Sequence, residues 1–362
     1  MRKPTGQSVV VAALSGGVDS AVAATRLVEQ GLDVVGMMLQ LRTAQPGPII
    51  PAPDAIERAR AVSHHLGIPF SLVDAQNAFQ REVINYFVSE YAAGRTPNPC
   101  VRCNRFVRFD LLMEQALALG ADAMATGHYA RIRERDDEYQ LLRGCDETKD
   151  QSYFLHALTQ EQLAHAMFPL GRLTKKKVRD IASQHDLPVA EQAESQDVCF
   201  LVEGDYRRFL EERAPGVMEP GPICDTAGRL LGEHRGLAAY TIGQRKGLNI
   251  SASEPLYVLA IEPERNAIIV GTADQLGRDT CLVEGMHYIS DQIPREPFRA
   301  KAQIRYRAHP AAVTVVPKCG MEAEVHFDEP QRDITPGQFL VLYEDDVVLG
   351  GGIICNSQNS ML

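Results

Sequence analysis

The chain has 362 residues, of which 45% are hydrophobic and 23% are charged, and its formal net charge at pH 7 is −10. This is the composition of an ordinary globular protein of two or three domains, and it excludes a surface that is basic all over. No apolar stretch approaches the ~20 residues of a membrane span. The first apolar run begins too late and breaks at two glycines too soon for a signal peptide, so we expect a cytoplasmic protein with no membrane partner.

The predicted elements of the first half alternate between strands and helices. Strands are predicted at 8–14, 33–39, 69–75 and 121–128, and helices at 18–30, 54–67, 76–92 and 105–119. Asp54 is predicted to be the N-cap of the second helix. This alternation predicts a doubly wound, parallel α/β sheet. Ligands bind such sheets at the carboxyl ends of the strands, which are followed by loops at 15–20, 40–53 (Pro-rich over 46–53) and 126–129.

The sequence pattern changes after about residue 205, where short runs of β-forming residues alternate with glycine and proline. Such runs predict small all-β architecture, with a barrel as the expected form. We therefore predict three domains: an α/β catalytic domain at 1–205, a small central and mostly β domain at 206–280, and a C-terminal β-barrel-like domain at 281–362.

Eight cysteines are too few for a disulfide scaffold in a chain of this length. Cys100 and Cys103 form a C-x-x-C pair in a predicted loop between two helices, and in a cytosolic protein this spacing indicates metal binding or catalysis. Basic residues cluster beside this pair and at two later places, where they form either a local nucleic-acid face or solvated helix surfaces. The clusters are Arg102, Arg105 and Arg108; Arg172, Lys175, Lys176, Lys177 and Arg179; and Arg305 with Arg307.

The stretch "ALSGGVDS", residues 13–20, follows the first predicted strand and opens the first helix. Two glycines allow backbone N–H groups to face an anion, and Ser15 and Ser20 add hydroxyl groups. Asp19 would repel phosphate, so we interpret it as a ligand for Mg²⁺ that bridges the phosphates. The alternative is a tight glycine turn with no ligand.

This stretch resembles the motif of the PP-loop ATP pyrophosphatases, which have the adenine nucleotide α-hydrolase-like fold and transfer AMP from ATP to a carbonyl oxygen. The resemblance implies that an ATP site is formed by the loop and by two residues at later strand ends. These residues are Ala13, Leu14, Ser15, Gly16, Gly17, Val18, Asp19, Ser20, Leu39 and Gly127.

Further stretches narrow the resemblance. They are "GRTPNPCVRCN" (94–104), "ATGHYAR" (125–131), "KDQSYFL" (149–155), "FPLGRLTKKKVR" (168–179), "SQDVCF" (195–200), "YTIGQRKGL" (240–248), "IRYR" (304–307) and "TPGQ" (335–338). In this order and spacing they resemble the tRNA-specific 2-thiouridylases, which replace oxygen by sulfur at carbon 2 of the wobble uridine. The resemblance covers nearly the whole chain.

Membership in that family implies that Cys199 carries a persulfide sulfur and that Cys103 is its partner nucleophile. The thiolate is the nucleophile, and a lowered pKa increases the fraction of it at neutral pH. Arg102 or Arg105, which flank Cys103 in sequence, is expected to favour the thiolate.

Cys100 departs from the family, whose better-known members have an aspartate at this position. Cys100, Cys103 and Cys199 would then be three thiols at one site, and three thiolates can hold a [4Fe–4S] cluster with one iron open. Persulfide and cluster therefore remain alternatives. A structural zinc is disfavoured because a fourth Cys or His ligand, typically in a second pair, is missing.

The resemblance also implies contacts with tRNA, and the target base is expected to leave its stack to react. Asn98, Pro99 and Cys100 match the segment that meets this base. The other matching positions, some of which contact the anticodon arm, are His128, Lys149, Asp150, Gln151, Arg305, Tyr306 and Gln338. An arginine beside an aromatic side chain suits RNA, because it offers phosphate contact and base stacking together.

Two other functions compete with this one. A different PP-loop adenylating synthetase would have no use for Cys103 and Cys199, and an RNA-binding module with an inactive ATP loop would not need the intact loop residues. The expected cofactors are ATP and Mg²⁺, with the cluster as the alternative described above. The expected partners are tRNA and a sulfur-donor protein that delivers persulfide sulfur, and we expect a monomer.

Overall fold

The computed structural model describes residues 8–41, 53–193, 198–201 and 206–355. The described strands are β1 (Val9–Ala13), β2 (Asp33–Gln40), β3 (Phe70–Asp74), β4 (Ala123–Ala125), β5 (Ala130–Arg135), β6 (Glu138–Arg143), β7 (Ala166–Met167), β8 (Gly221–Asp225), β9 (Leu230–His234), β10 (Tyr257–Glu262), β11 (Ala267–Gly271), β12 (Arg278–Tyr288), β13 (Phe298–Gln303), β14 (Ala311–Pro317), β15 (Ala323–Gln331), β16 (Phe339–Glu344) and β17 (Val347–Ile354). The described α-helices are α1 (Val18–Glu29), α2 (Pro53–Leu66), α3 (Gln76–Phe79), α4 (Asn85–Ala92), α5 (Pro99–Arg102), α6 (Met113–Ala118), α7 (Gln160–Ala164), α8 (Lys175–Gln184) and α9 (Tyr206–Arg213). Two π-helical segments, Gln80–Ile84 and Cys103–Leu112, connect α3 to α4 and α5 to α6.

The N-terminal domain contains a parallel sheet of five strands in the order β3-β2-β1-β4-β7. Val11 of β1 packs into one apolar cluster, whereas its neighbours Val10 and Ala12 pack into another. A parallel sheet with helices on both faces needs apolar side chains on both faces, and β1 supplies them. The predicted fold class is confirmed. The fifth strand, β7, was not predicted.

The predicted bounds of two helices were wrong. α2 begins at Pro53, so Asp54 lies in its first turn and is not its N-cap. The cysteine pair lies in a helix and not in a loop: the helical segment begins at Pro99, six residues before the predicted start, because the Asn98 side chain accepts a hydrogen bond from the Cys100 N–H (3.2 Å). Asparagine at the N-cap and proline at the first helical position are a strong start signal.

The C-terminal domain is a closed barrel of six antiparallel strands in the order β12-β15-β14-β13-β16-β17, in which β17 pairs again with β12. Its interior is apolar. The β5–β6 hairpin of the N-terminal domain extends this sheet, because β6 pairs with β17 through Leu142 and Val347. The Arg143 N–H also donates to the Asp346 carbonyl (2.8 Å).

The central domain is a four-stranded sheet in the order β10-β11-β8-β9 around its own small core. All three domains meet at Thr96, just before the cysteine pair. The Thr96 N–H donates to the Pro336 carbonyl (2.9 Å), and the Gln338 amide donates to the Thr96 carbonyl (2.8 Å). The Thr96 hydroxyl lies 3.4 Å from that of Thr241 in the central domain. The domain boundaries proposed from the sequence stay a prediction.

Within the described ranges, no helix is long and apolar enough to span a membrane. Most of the predicted loop at 40–53, with its Pro-rich part, and residues 195–197 of the "SQDVCF" stretch lie outside the described residues.

Candidate active site

The loop after β1 is held in shape by its own hydroxyls and by α2. The Ser15 N–H donates to the Ser20 hydroxyl (3.1 Å), which in turn donates to the Gly17 carbonyl (3.0 Å). Gly16 has φ +74°, and a Cβ there would lie 2.4 Å from the Ala55 carbonyl oxygen. The turn therefore needs glycine at this position. Arg58 of α2 donates to the Gly16 carbonyl (3.0 Å) from outside the loop.

The other residues of the predicted ATP site surround this loop. Leu14 donates its N–H to the Met37 carbonyl (2.8 Å), which ties the loop to β2. Leu39 is buried near the carboxyl end of β2, Val18 is buried at the start of α1, and Ala13 ends β1. A Cβ on Gly127 would lie 2.8 Å from the backbone at Asp19 and Ser20, so only glycine lets this strand end lie against the loop. The structure thus brings these residues together.

Asp19 has a partner that the sequence reading did not anticipate. Its two carboxylate oxygens accept hydrogen bonds from the Lys175 ammonium at 2.7 and 2.8 Å, and Oδ1 also accepts one from the Tyr129 hydroxyl (2.8 Å). An ammonium on both oxygens repels a divalent cation. Asp19 is paired with an ammonium in this arrangement; its role as a Mg²⁺ ligand stays a prediction, and we derive no step through a metal at this place.

The segment after β4 joins the loop to the cysteines. Gly127 and Tyr129 contact Asp19, whereas His128 between them points the other way. The His128 ring lies between Phe109 and Phe168, with centroids 6.1 and 6.0 Å away, and its Nδ1 lies 2.7 Å from the Thr126 hydroxyl. Burial holds the pKa of His128 well below its usual value, and Arg108 lowers it further. His128 is therefore neutral and lies in the wall between the two halves of the site.

Cys100, Cys103 and Cys199 form a thiol cluster, although Cys199 is 96 residues or more away in sequence. Each is a free thiol. Burial raises the pKa of all three, that of Cys100 to about 12, and the nearby Cys103 raises the pKa of both Cys100 and Cys199. Cys199 is exposed as a residue, although burial is also the main cause of the raised pKa of its thiol. The thiols are therefore protonated at neutral pH and need a cation to become nucleophilic.

That cation is Arg108, and the expectation that Arg102 or Arg105 would act on Cys103 was wrong. Arg102 pairs with Glu82 (2.8 Å), and Arg105 pairs with Asp110. Arg108 instead opposes the rise that burial causes in the pKa of all three thiols. The reason is the π-helical segment: its hydrogen bonds join residues five apart, so position 108 follows Cys103 by about one turn.

A neighbouring phenylalanine positions Cys199. Phe200 is 2% exposed, and its ring contacts those of Phe87, Phe209 and Phe79 at 5.2, 5.4 and 5.9 Å. The short described segment 198–201 is thereby fixed to α3 and α4, which precede the cysteine pair, and to α9.

Within the described ranges, no group of three or more His, Cys, Asp or Glu is arranged to hold a single metal ion. The iron–sulfur cluster on Cys100, Cys103 and Cys199 stays a prediction, and we derive no step through it.

The predicted RNA-contacting residues of the N-terminal domain are mostly engaged within the protein. Asn98 caps the helix that starts at Pro99, which is buried. Asp150 is buried and accepts hydrogen bonds from the Gly144 N–H (2.9 Å) and the Ser152 hydroxyl (2.9 Å). Gln151 exchanges two hydrogen bonds with the Tyr129 backbone, at 2.9 and 3.0 Å. These contacts tie the segment to the ATP loop.

A cavity of about 830 Å³ lies where the β5–β6 hairpin meets the barrel. It is lined by Lys149, Asp150 and Tyr306 among others, and by further cations on Arg131, Arg143, Lys301 and Arg307. The Tyr306 ring lies tilted against the Phe154 ring, with centroids 4.3 Å apart. Burial raises the pKa of Tyr306, and Asp150 and the Cys100 thiol raise it further. The cavity therefore lies beside the thiol cluster.

The two remaining RNA residues lie on the barrel. Arg305 is about half exposed and pairs with Asp333 (2.5 Å). Gln338 donates to Thr96 at the domain junction. The RNA roles of all these residues stay a prediction.

Sequence reasoning missed three residues of the site: Lys175, Phe200, and Arg108 as the relevant arginine. The signal for Phe200 was available, because an aromatic residue directly after Cys199 has to be buried somewhere. Lys175 was counted only as part of a basic cluster, and nothing in its spacing indicated Asp19.

Comparisons with known proteins identify the family of the chain. Family models match residues 8–203 (tRNA methyl transferase HUP domain), 207–272 (tRNA methyl transferase PRC-barrel domain) and 278–354 (aminomethyltransferase β-barrel domain). Among solved structures, the U34-tRNA thiolase NcsA from Methanococcus maripaludis with its [4Fe-4S] cluster is 18% identical, with a TM-score of 0.34 over 58% of this chain and 67% of that chain. We base no conclusion on a similarity of that size.

Curated relatives match along nearly the whole chain. The tRNA-specific 2-thiouridylase MnmA of Moorella thermoacetica is 49% identical over 94% of this chain and 98% of its own length. The protein of the same name from Carboxydothermus hydrogenoformans is 45% identical over 96% of this chain and 98% of its own. With a family model that spans more than half of its residues and relatives at this identity, the chain belongs to the tRNA-specific 2-thiouridylase family.

Proposed function

We propose that this protein is an ATP-dependent sulfurtransferase that converts the wobble uridine of tRNA to 2-thiouridine. The observation that carries the proposal is that Cys103 and Cys199 lie close together and that a single segment separates them from the loop at 13–20. The segment Thr126–Tyr129 touches both, with Tyr129 on Asp19 and His128 on the cysteine helix. An amide-forming PP-loop synthetase has no use for such a thiol cluster.

In the first step, the C2 oxygen of uracil attacks the α-phosphorus of ATP, and pyrophosphate leaves. The adenylated oxygen is a good leaving group, which an unmodified carbonyl oxygen is not. The Gly16–Gly17 turn, with the hydroxyls of Ser15 and Ser20, supports the proposal that the loop binds the phosphates.

In the second step, the terminal sulfur of a persulfide on Cys199 attacks C2, and AMP leaves with the former C2 oxygen. The Cys103 thiolate then attacks the Cys199 sulfur. The sulfur–sulfur bond of the persulfide breaks, its electron pair stays on the sulfur now attached to C2, and a Cys103–Cys199 disulfide forms. A sulfur-donor protein supplies the persulfide sulfur, and an external thiol reduces the disulfide. Arg108 favours the thiolate form in each attack.

The tRNA is proposed to lie across the cavity, with its anticodon arm on the barrel and the target base beside Cys100. The cationic lining of the cavity and the exposed Arg305 support this placement. Tyr306 offers a ring for a base that has left its stack.

The proposal is tested by mass analysis of nucleosides from bulk tRNA of cells that lack this protein. We expect 2-thiouridine to be lost and to return when the gene is restored. Restoration with Cys103→Ser or Cys199→Ser should fail, while purified variants still release pyrophosphate with ATP and tRNA, because the ATP loop is untouched. Unchanged 2-thiouridine in the deletion cells would refute the proposal.

Cys100 distinguishes the persulfide route from the cluster. With a persulfide on Cys199, Cys100→Ser should keep most of the thiolation activity, and anaerobically purified protein should contain no stoichiometric iron or acid-labile sulfide. Loss of activity equal to that of Cys103→Ser, together with bound iron in the wild type, would favour the cluster.

A further inference from the structure

Tyr306, whose ring is proposed to receive the target base, lies in a turn outside the strand pairing of the barrel. β13 ends at Gln303 and β14 begins at Ala311, and within the turn between them the Ala308 N–H donates to the Arg305 carbonyl (2.9 Å). A side chain that positions a substrate has to be held within about 0.5 Å of its productive place. The contacts that hold this turn therefore decide whether the ring can receive a base.

The side chain of Gln303 holds the turn from the end of β13. It is 5% exposed, and its amide nitrogen donates to the carbonyl of Tyr306 (2.7 Å) and to that of Arg305 (3.3 Å). On its other side, the Tyr306 ring lies against Phe154. A buried amide is costly to leave unpaired, so these hydrogen bonds favour one position of the turn.

Arg143 of the β5–β6 hairpin determines which end of this amide faces the turn. One guanidinium nitrogen donates to the Gln303 side-chain oxygen (3.2 Å), another pairs with Asp150 (3.2 Å), and the guanidinium lies over the Tyr343 ring. A guanidinium has only donors, so the oxygen of the Gln303 amide faces Arg143 and its NH₂ group faces the turn. The hairpin of the N-terminal domain thereby fixes a turn of the barrel.

We propose that Gln303, oriented by Arg143, is a positioning residue for sulfur transfer: it holds the Tyr306 ring where that ring receives the target base beside Cys100. This rests on the proposed function. Gln303 acts through Tyr306 and does not itself contact the base. Its loss should therefore leave the phosphate contacts with tRNA unchanged and lower the fraction of bound tRNA whose target base lies on the ring.

The position of the Tyr306 ring can be measured without RNA, by fluorine NMR of the full chain with a fluorotyrosine at position 306. We expect a displaced or broadened resonance in Gln303→Met, which keeps the volume of the side chain but removes the amide. Gln303→Glu should also displace it, because an ionised carboxylate still accepts from Arg143 but donates nothing to the turn. The resonance is read on the folded protein, so a loss of stability does not hide the result. A wild-type resonance in either variant would overturn the proposal.

Gln160 offers a matched control for the opposing possibility, that Gln303 only ties the hairpin to the barrel. The Gln160 amide also joins the two: its nitrogen donates to the Tyr139 carbonyl of β6 (2.8 Å) and to the Ile289 carbonyl directly after β12 (2.6 Å). Tyr139 lies at the opposite end of β6 from the residue that contacts Gln303. Gln160→Met should therefore keep the wild-type fluorine resonance. An equal displacement in Gln160→Met and Gln303→Met would overturn the proposal.

The thiolation assay tests whether Gln303 acts through the ring. At saturating tRNA, Gln303→Met should lower the single-turnover rate about ten-fold, the size expected for one or two lost hydrogen bonds. The salt slope of tRNA binding should stay at the wild-type value, since no phosphate contact is removed. In a Tyr306→Ala background, Gln303→Met should cause no further loss. Losses that multiply in the double variant would show that Gln303 acts independently of Tyr306, and would overturn the proposal.

The fluorine measurement uses no RNA, so it stands apart from the nucleoside analysis. A displaced resonance in Gln303→Met, together with unchanged 2-thiouridine in cells that lack the protein, would refute the proposed function and not the contact between Gln303 and the turn. A wild-type resonance in Gln303→Met, together with loss of 2-thiouridine in those cells, would overturn this proposal alone.

Discussion

At the scale of single residues, the reactivity of the thiol cluster depends on how a buried cysteine loses its proton. Burial raises the pKa of Cys103, and Arg108 is the positive charge that opposes this effect. Below its pKa, the thiolate fraction rises about ten-fold per pH unit. The rate of sulfur transfer should therefore rise with pH through the neutral range.

Arg108→Ala should raise the thiol pKa values further. We expect a lower single-turnover thiolation rate at each pH and a pH profile moved towards higher pH, with most of the activity kept in Arg108→Lys. Arg105→Ala is the matched control, since it removes an arginine of the same helix that is paired with Asp110. A profile for Arg108→Ala that superimposes on the wild type would contradict this assignment.

Site residues that belong to a sequence motif could be predicted. Site residues that only the fold brings together could not. The motifs around Cys103 and Cys199 identified both cysteines as site residues, and the two lie close together in the structure. The arginine that acts on them was misassigned because sequence neighbours were assumed to be spatial neighbours, which a π-helical turn makes untrue. The Lys175–Asp19 pair joins residues 156 positions apart, and such a contact has no local pattern.

At the scale of secondary-structure elements, prediction succeeded for strands that form a short, continuous apolar run in the sequence. β1, β2 and β3 were found within about a residue at each end because each is a short apolar run. β7 has two residues and exists only because β4 lies beside it, pairing Met124 with Ala166. The β5–β6 hairpin is largely half-exposed and exposed, so its pattern did not stand out.

The segment that carries Cys199 depends on one aromatic anchor, which can be removed. Phe200→Ala should destabilise the fold by about 3–5 kcal/mol, as is usual for a buried phenylalanine. It should also lower thiolation per folded molecule, because Cys199 loses its fixed position beside Cys103. Urea unfolding and single-turnover assays on the folded fraction measure the two effects.

Phe327→Ala provides the comparison for this variant. Phe327 is 5% exposed in the barrel core, so its loss should cost similar stability while thiolation per folded molecule stays near the wild-type level. Pyrophosphate release should be retained in both variants. Equal thiolation by the two variants would remove the positioning role of Phe200.

At the scale of the whole molecule, the barrel reaches the thiol cluster through the backbone at Thr96. Gly337 has φ +88°, and a Cβ there would lie 2.9 Å from the Thr96 nitrogen and the Arg95 Cβ. Gly337→Ala should push this backbone away and lower thiolation, with ATP binding unchanged. The expected measurement is a reduced single-turnover rate beside an unaltered dissociation constant for ATP.

Gly320→Ala separates the clash from backbone strain. Gly320 also has a positive φ (+75°) in the barrel, but a Cβ there would meet nothing within 4 Å. Both variants carry a left-handed residue, which costs about 1–2 kcal/mol, so only Gly337→Ala should affect thiolation. An equal loss in both would mean that strain, and not the junction, is responsible.

The barrel is also the surface on which salt dependence should report tRNA contact. Arg305→Ala should weaken tRNA binding and reduce the slope of log affinity against log salt by roughly 0.7–0.9, the contribution of one phosphate contact. Arg299→Ala removes another barrel arginine that is paired with an aspartate, Asp328, and should leave the slope unchanged. An unaltered slope in Arg305→Ala would exclude Arg305 from the phosphate contacts.

The β5–β6 hairpin has a consequence for how this protein can be divided. It is encoded among the catalytic elements, yet Leu142 pairs with β17, and the Arg143 guanidinium lies 3.7 Å from the centre of the Tyr343 ring in the barrel. A catalytic domain produced without the barrel would leave a strand edge open and uncover an arginine that otherwise rests on an aromatic face. Open edges invite pairing with other chains. Exchange of these domains between relatives should therefore succeed only when the hairpin and the barrel are exchanged together, although 134 residues (144–277) separate the end of β6 from the start of β12.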